Sequence, residues 1–181
     1  MMLIEAATSA LMLIDAQSRL LPAMDDGAMR LERCRALLEG ARRLAIPIVA
    51  SEQYPEGLGP TVPALAALLP PGQIFAKRRF AAGTDPAIAA ALQGLGRPQI
   101  VLCGMEAHVC VLQTALDLHR LRLRPIVVAD AVAARRPESL TLALDRLRAN
   151  GVEVVSTEMV LFEWLGGAGT ADFKALLPLI K

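Results

Sequence analysis

Short continuous apolar runs alternate along this chain with stretches whose apolar residues recur at three and four residue steps. Ala10-Leu-Met-Leu-Ile14 is an apolar run that stops at Asp15, the pattern of a strand buried on both faces with a polar residue at its carboxyl end. From Ala28 to Leu44 the positions Leu31, Cys34, Leu37, Leu38, Ala41 and Leu44 form one apolar stripe, which predicts an amphipathic helix. Ile46-Pro-Ile-Val-Ala50 reads as a second strand, with Pro47 near its start, where proline is tolerated. Ser51 to Pro60 is dense in Gly and Pro and reads as an ordered loop. A short helix around Val62 to Leu69 leads to a third strand, Gln73-Ile-Phe-Ala76, which ends at Lys77. Asp85-Pro86 is an N-cap followed by proline at the first helical position, opening a helix to about Leu95.

The fourth strand is Gln99 to Cys103, followed by a turn and a helix from about His108 to Leu121. Pro125 to Ala129 is a fifth strand ending at Asp130. Pro137 opens a helix with Leu140, Ala143, Leu144 and Leu147 on its buried face, closed by Asn150-Gly151. Val152 to Val155 is a sixth strand, and a C-terminal helical region includes Phe173 and Leu176. Strands that alternate with helices predict an α/β domain: three layers, helices on both faces of a six-stranded, mostly parallel, doubly wound sheet in the order 3-2-1-4-5-6. At 181 residues the chain fits one domain over 1–181.

A doubly wound sheet binds its ligands at the carboxyl ends of its strands, around the point where the order reverses. Asp15, the Glu52-Gln53-Tyr54 loop, Lys77, the turn from Gly104 to Cys110 and Asp130 fall there. A cysteine just past a strand-to-helix turn is a candidate nucleophile, because the turn exposes it and a helix N-terminus favours negative charge on it. Neither histidine is placed to serve Cys110: His108 is two residues away, on a different helix face, and His119 is more than two turns along. Asp15, on the strand expected beside the fourth, can accept the thiol proton, and Lys77 can bring a cation. Together with the helix N-terminus these groups predict a depressed thiol pKa. Each residue alone has an ordinary role, as turn former, surface charge or small core hydrophobe; their joint placement at one sheet edge favours the chemical one.

Composition narrows the classes further. Hydrophobic residues make up 54% and charged residues 20%, which excludes a disordered chain, and aromatics at 3% leave an aliphatic core. A formal net charge of +1, with only short scattered basic runs, gives no footprint for nucleic acid. Three cysteines, Cys34, Cys103 and Cys110, argue for reduced thiols in the cytoplasm. The N-terminal apolar run lacks a preceding basic region and is interrupted by Asp15, so neither a signal peptide nor a membrane span is expected.

Four blocks then carry a resemblance: Leu13-Ile-Asp-Ala-Gln17, Ser51-Glu-Gln-Tyr-Pro-Glu-Gly-Leu-Gly59, Phe75-Ala-Lys77 and Leu102-Cys-Gly-Met-Glu-Ala-His-Val-Cys-Val-Leu-Gln-Thr114. In this order and spacing they resemble the isochorismatase-like (cysteine hydrolase) superfamily, over nearly the whole chain. The Glu-Gln-Tyr-Pro loop and the segment from Glu158 to Leu165 are most similar to its isochorismatase domain-containing proteins. The resemblance implies an Asp-Lys-Cys triad on Asp15, Lys77 and Cys110. It also implies a cis peptide at Met105-Glu106, with the N–H groups of Glu106 and Cys110 aimed at an oxyanion. Gln17, Gln53, Tyr54 and Phe80 fall at substrate-binding positions.

Departures from the family pattern matter as well. Relatives resembling nicotinamidases hold a metal with histidines after the second strand; this loop has no histidine, so no catalytic metal and no cofactor are expected. Isochorismatase proper cleaves a vinyl ether without a cysteine at the nucleophile position, so Cys110 moves this chain toward the amidase branch. Arg78-Arg79 and Ala81-Ala82 stand where relatives carry smaller polar residues and a serine, which alters the pocket's polarity. Asp130 is expected to be structural, and Met159 and Trp164 to pack. The combined reading is a metal-independent cysteine hydrolase acting on a C–N bond of a small amide, assembled as a homo-oligomer, with no nucleic-acid or membrane partner. The alternative is a binding or scaffold protein that keeps the fold without the reaction. A dinucleotide-binding reading fails, because the turn after the first strand has no glycine fingerprint.

Overall fold

A computed structural model describes residues 3–180. The elements in chain order are β1 (Ser9–Ile14), α1 (Gly27–Arg43), β2 (Ile48–Gln53), α2 (Pro55–Leu58), α3 (Pro63–Ala66), β3 (Ile74–Lys77), α4 (Pro86–Gly94) and β4 (Gln99–Met105). A π-helical turn (Ala107–Val111) then feeds α5 (Leu112–Arg120), followed by β5 (Arg124–Ala133), α6 (Pro137–Ala149), β6 (Glu153–Val155), α7 (Thr157–Leu165) and α8 (Ala171–Ile180). The six strands form one sheet in the order β3-β2-β1-β4-β5-β6, and every neighbouring pair is parallel. This is the doubly wound order that the alternation of patterns predicts.

Period-two alternation in β1 divides the core between the two faces of the sheet. Leu11 and Leu13 pack with Cys34, Leu37, Val160 and Leu161 of α1 and α7 on one side. Met12 and Ile14 pack with Ile88, Ala115, Leu118 and Leu147 of α4, α5 and α6 on the other. All six residues of β1 are buried, as expected of a central strand covered on both faces. Asp85 caps α4 by accepting from the Ala87 N–H, and Ser156 caps α7 by accepting from the Met159 N–H.

Several boundaries differ from the sequence reading. β2 runs on through Ser51, Glu52 and Gln53, because their backbones pair with β1 and β3: Ile14 lies beside Ser51, and Gln53 beside Lys77. β5 continues past Asp130 to Ala133, pairing with Gly104 and Met105 after a register shift in β4. The segment from Val62 to Leu69 is helical only over α3, with turns beyond it.

Gly104 shows why the segment that joins β4 to the π-helical turn has its sequence. It has φ +116, and a Cβ at this position would overlap the Ile14 carbonyl oxygen. Only glycine lets β4 approach β1 this closely at its carboxyl end. The following Met105–Glu106 peptide is cis, and the chain then enters the wide turn in which the Glu106 carbonyl accepts from the N–H groups of Val109 and Val111.

Candidate active site

Strand register brings the first two expected residues together. Asp15 follows β1, with φ 48, and its N–H donates to the Ser51 carbonyl at 3.0 Å. Lys77 ends β3, beside Gln53 of β2. The Lys77 ammonium donates to Asp15 Oδ2 at 2.7 Å and to Gln53 Oε1 at 2.7 Å, and reaches the carbonyls of Arg79 and Phe80 at 3.3 and 3.4 Å. Both side chains of this ion pair are 0% exposed. A charge so placed is stable only when its partner and surrounding donors compensate for lost hydration, and here they do. The Ser51 hydroxyl donates to Asp15 Oδ1 at 2.7 Å, so each carboxylate oxygen has one donor and retains accepting capacity.

Cys110 joins this pair from the wide turn and is 6% exposed. Its thiol is pushed up to about 12: burial is the largest cause, the Asp15 charge adds to it, and the Lys77 ammonium pulls the other way. The expected depression of the thiol pKa is therefore not what the structure gives. Removal of water from the sulfur, together with a carboxylate that disfavours a second negative charge, outweighs the lysine. The resting sulfur is a protonated thiol beside a carboxylate that can take its proton.

The expected substrate contacts divide into two kinds. Gln17 is fully buried; its amide nitrogen donates to the carbonyls of Gln53 and Gly59 at 3.0 and 2.6 Å, and its oxygen accepts from the Gln53 N–H at 2.8 Å. Gln53 receives the Lys77 ammonium and donates to the Arg78 carbonyl at 2.9 Å. Both amides hold the framework, because the 51–60 segment lies against β1 and its backbone needs partners there. Tyr54 and Phe80 are exposed, at 46% and 52%. The Arg78 guanidinium lies 4.2 Å above the Tyr54 ring and pairs with Glu56 at 3.0 Å. Glu106 accepts from Arg135 at 2.7 Å through its side chain.

Asp130 is structural, as expected: it accepts from the N–H and hydroxyl of Thr157 at 2.8 and 3.0 Å and fixes the start of α7. Trp164 is buried and donates to the Ser9 hydroxyl, whereas Met159 is half exposed. Sequence reasoning missed Ser51 as a partner of Asp15, and it placed Glu52 at the strand ends without its role there, which is to clamp the N–H and hydroxyl of Thr61 at 2.6 and 2.8 Å. The signal was a polar residue, Ser51, two positions before Gln53, and therefore on the same side of an extended chain. Among the described residues no group of three or more His, Cys, Asp or Glu is placed to hold a metal ion, and no helix is long and apolar enough to cross a membrane.

Comparison with known proteins extends the picture. The isochorismatase domain model matches residues 9–159. An isochorismatase domain-containing protein 2 from Danio rerio is 37% identical over 175 residues, which cover 95% of this chain and 86% of that protein. The chain spans only 62% of the length of isochorismatase domain-containing protein 1 from Salmo salar, to which it is 36% identical. Among solved structures, one described as the MAR1 ribonuclease of Caenorhabditis elegans superposes with a TM-score of 0.92 at 33% identity, covering 99% of this chain and 92% of that one. The YcaC gene product of Escherichia coli, described as an octameric hydrolase of unknown specificity, shares the fold with a TM-score of 0.93 at 22% identity, over 99% of this chain and 91% of that one. With a family model matched over most of its length, and a relative more than a third identical across nearly all of it, the chain belongs to the isochorismatase family.

Proposed function

We propose that this protein is a hydrolase that cleaves a C–N bond of a small amide through Cys110, Asp15 and Lys77. The observation that carries the reading is the buried Asp15–Lys77 ion pair acting on the Cys110 thiol. As Cys110 Sγ attacks the substrate carbonyl carbon, its proton passes to the Asp15 carboxylate. The N–H groups of Glu106 and Cys110 receive the developing oxyanion. Asp15 then gives its proton to the departing amine, leaving an acyl thioester on Cys110. A water molecule, giving its proton to Asp15, attacks the thioester; collapse releases the carboxylic acid and returns the thiol. Lys77 keeps Asp15 oriented throughout, and the sequence of steps calls on no metal.

Tyr54 and Phe80, exposed beside the lysine-bearing segment, are proposed to meet the substrate, while Gln17 and Gln53 hold the framework. Self-association is part of the proposal, in keeping with the octameric state described for the Escherichia coli relative. A cytoplasmic setting is part of the proposal, since free thiols suit that compartment.

The high thiol pKa favours a second reading, a binding protein that keeps the fold without turnover. The relative described as a ribonuclease suggests a third, which the net charge of +1 disfavours, so no RNA cleavage is expected. A screen of small amides with wild type and Cys110→Ala in parallel separates these. Turnover by wild type that is lost in the variant supports the hydrolase; full activity of the variant sinks it.

A further inference from the structure

Thr114 of α5 is a fully buried polar residue, about one helical turn beyond Cys110. The reaction steps proposed for Cys110 make no use of it. Its Oγ1 accepts from the Ala82 N–H at 3.0 Å, which ties the 3₁₀ turn Ala82–Thr84 to the helix that follows the thiol. The approach is close: a Cβ on Gly83 would lie 2.9 Å from Asp117 Oδ2 and 3.3 Å from Leu118 Cδ2 of the same helix. This bond bears on the site through the segment that leaves β3. The carbonyls of Arg79 and Phe80 in that segment face the Lys77 ammonium at 3.3 and 3.4 Å. Both contacts stand at the long edge of hydrogen bonding, so a small displacement of the segment removes them. Gln53 holds its near end, donating to the Arg78 carbonyl at 2.9 Å, and Thr114 holds its far end. Arg79 and Phe80 are exposed between the two anchors, so the anchors rather than side-chain packing set where their carbonyls lie.

We infer that Thr114 is a positioning residue: through Ala82, its hydroxyl fixes the pair of carbonyls that seats the Lys77 ammonium beside Asp15 and Cys110. A valine would fill the same space, so the hydroxyl is what the position needs. Without it the buried Ala82 N–H loses its acceptor, the far end of the segment lifts, and water reaches the ion pair. Water at the sulfur favours the thiolate, because burial is the largest cause of the raised thiol pKa and outweighs the opposing lysine. The consequence for turnover rests on the proposed hydrolase reading. Full activity of Cys110→Ala would remove that reading, whereas the labelling of Cys110 relative to Cys103 reports on Thr114 alone.

The test is iodoacetamide labelling of the full chain at about pH 8, followed site by site by mass spectrometry. Cys103, fully buried within β4, labels only as the fold opens, so the rate at Cys110 divided by the rate at Cys103 separates a local change from a loss of stability. Thr114→Val is expected to raise this ratio about tenfold, and Thr114→Ser, which keeps the acceptor, to stay within about twofold of wild type. If Thr114→Val fails to fold by circular dichroism, Ala82→Pro removes the donor instead of the acceptor, and the same rise is expected. Ala81 before it is extended, with φ -74 and ψ 113, as a residue preceding proline must be. An unchanged or lowered ratio, as when Cys110 and Cys103 accelerate together, or Thr114→Ser labelling as fast as Thr114→Val, would overturn the inference.

Discussion

Cys103 and Cys110 lie seven residues apart, both buried, both with thiols pushed upward, yet their surroundings differ in kind. Cys103 sits inside β4 facing Cys34 of α1; hydrogen bonding to that second thiol comes first among the causes of its raised pKa, and burial follows. The Cys34 thiol in turn donates to the Ala131 carbonyl at 3.1 Å. These are core thiols with neutral neighbours. Cys110 has a carboxylate and an ammonium beside it, and the two pull its pKa in opposite directions. Burial alone makes a sulfur inert; burial next to a base gives its proton somewhere to go. A raised resting pKa is thus compatible with a nucleophile when deprotonation accompanies attack.

The comparison breaks most visibly in turnover. Cys110→Ala is expected to lower kcat/KM on any amide substrate by on the order of a thousandfold or more, as loss of a nucleophile does in acyl transfer. Cys34→Ala and Cys103→Ala should leave kcat nearly unchanged while lowering stability by roughly 1–3 kcal/mol through lost packing. Equal kinetic losses at all three positions would erase the distinction. The ion pair comes next: Lys77→Met leaves Asp15 charged and buried without its cation, and should cost about 3–5 kcal/mol in chemical denaturation.

The pH dependence of stability sharpens the contrast from another side. Because the folded Cys110 pKa of about 12 lies above that of an unfolded thiol, the folded state holds a proton that the unfolded chain releases. Its stabilising contribution is complete below about pH 8.5 and is lost as pH rises toward about 12, with a slope near 1.4 kcal/mol per pH unit. Cys110→Ala should therefore show a shallower alkaline loss of stability than wild type in denaturation curves at pH 8, 9 and 10. Cys103→Ala should do the same, since its pKa is raised as well, so stability groups the two thiols while turnover separates them. The smallest effect is expected at Ser51: Ser51→Ala removes one donor to Asp15 Oδ1 and should cost about 1 kcal/mol or somewhat more, with Ser51→Thr restoring it.

Much of this arrangement was legible in the chain. Asp15, Lys77 and Cys110 stand out because buried parallel strands tolerate polar residues only at their ends, and the doubly wound order gathers three such ends around the switch point. The partners of Gln17 were not legible: a polar side chain after a strand reads as available to a ligand until the 51–60 segment is seen lying against it. The thiol's protonation state was hidden for a related reason. The lysine and the helix terminus are visible in sequence, but how completely the packed neighbours remove water from the sulfur is not, and that removal dominates. Ser51 was read as the first residue of a loop because Gly and Pro crowd the residues after it, whereas the strand continues through it to Gln53.

The central claim is that the charged Asp15 carboxylate faces the Cys110 thiol, and it can be measured without knowing the substrate. Iodoacetamide labelling of Cys110, followed site by site by mass spectrometry from pH 7 to 11, reads the thiolate fraction directly. Wild type is predicted to label slowly near neutrality, rising about tenfold per pH unit without a plateau near 9. Asp15→Asn removes the carboxylate's charge and leaves Lys77 nearby, so it is predicted to label about tenfold faster at each pH while losing turnover. Coincident profiles for wild type and Asp15→Asn, or a wild-type plateau near pH 9, would contradict the account.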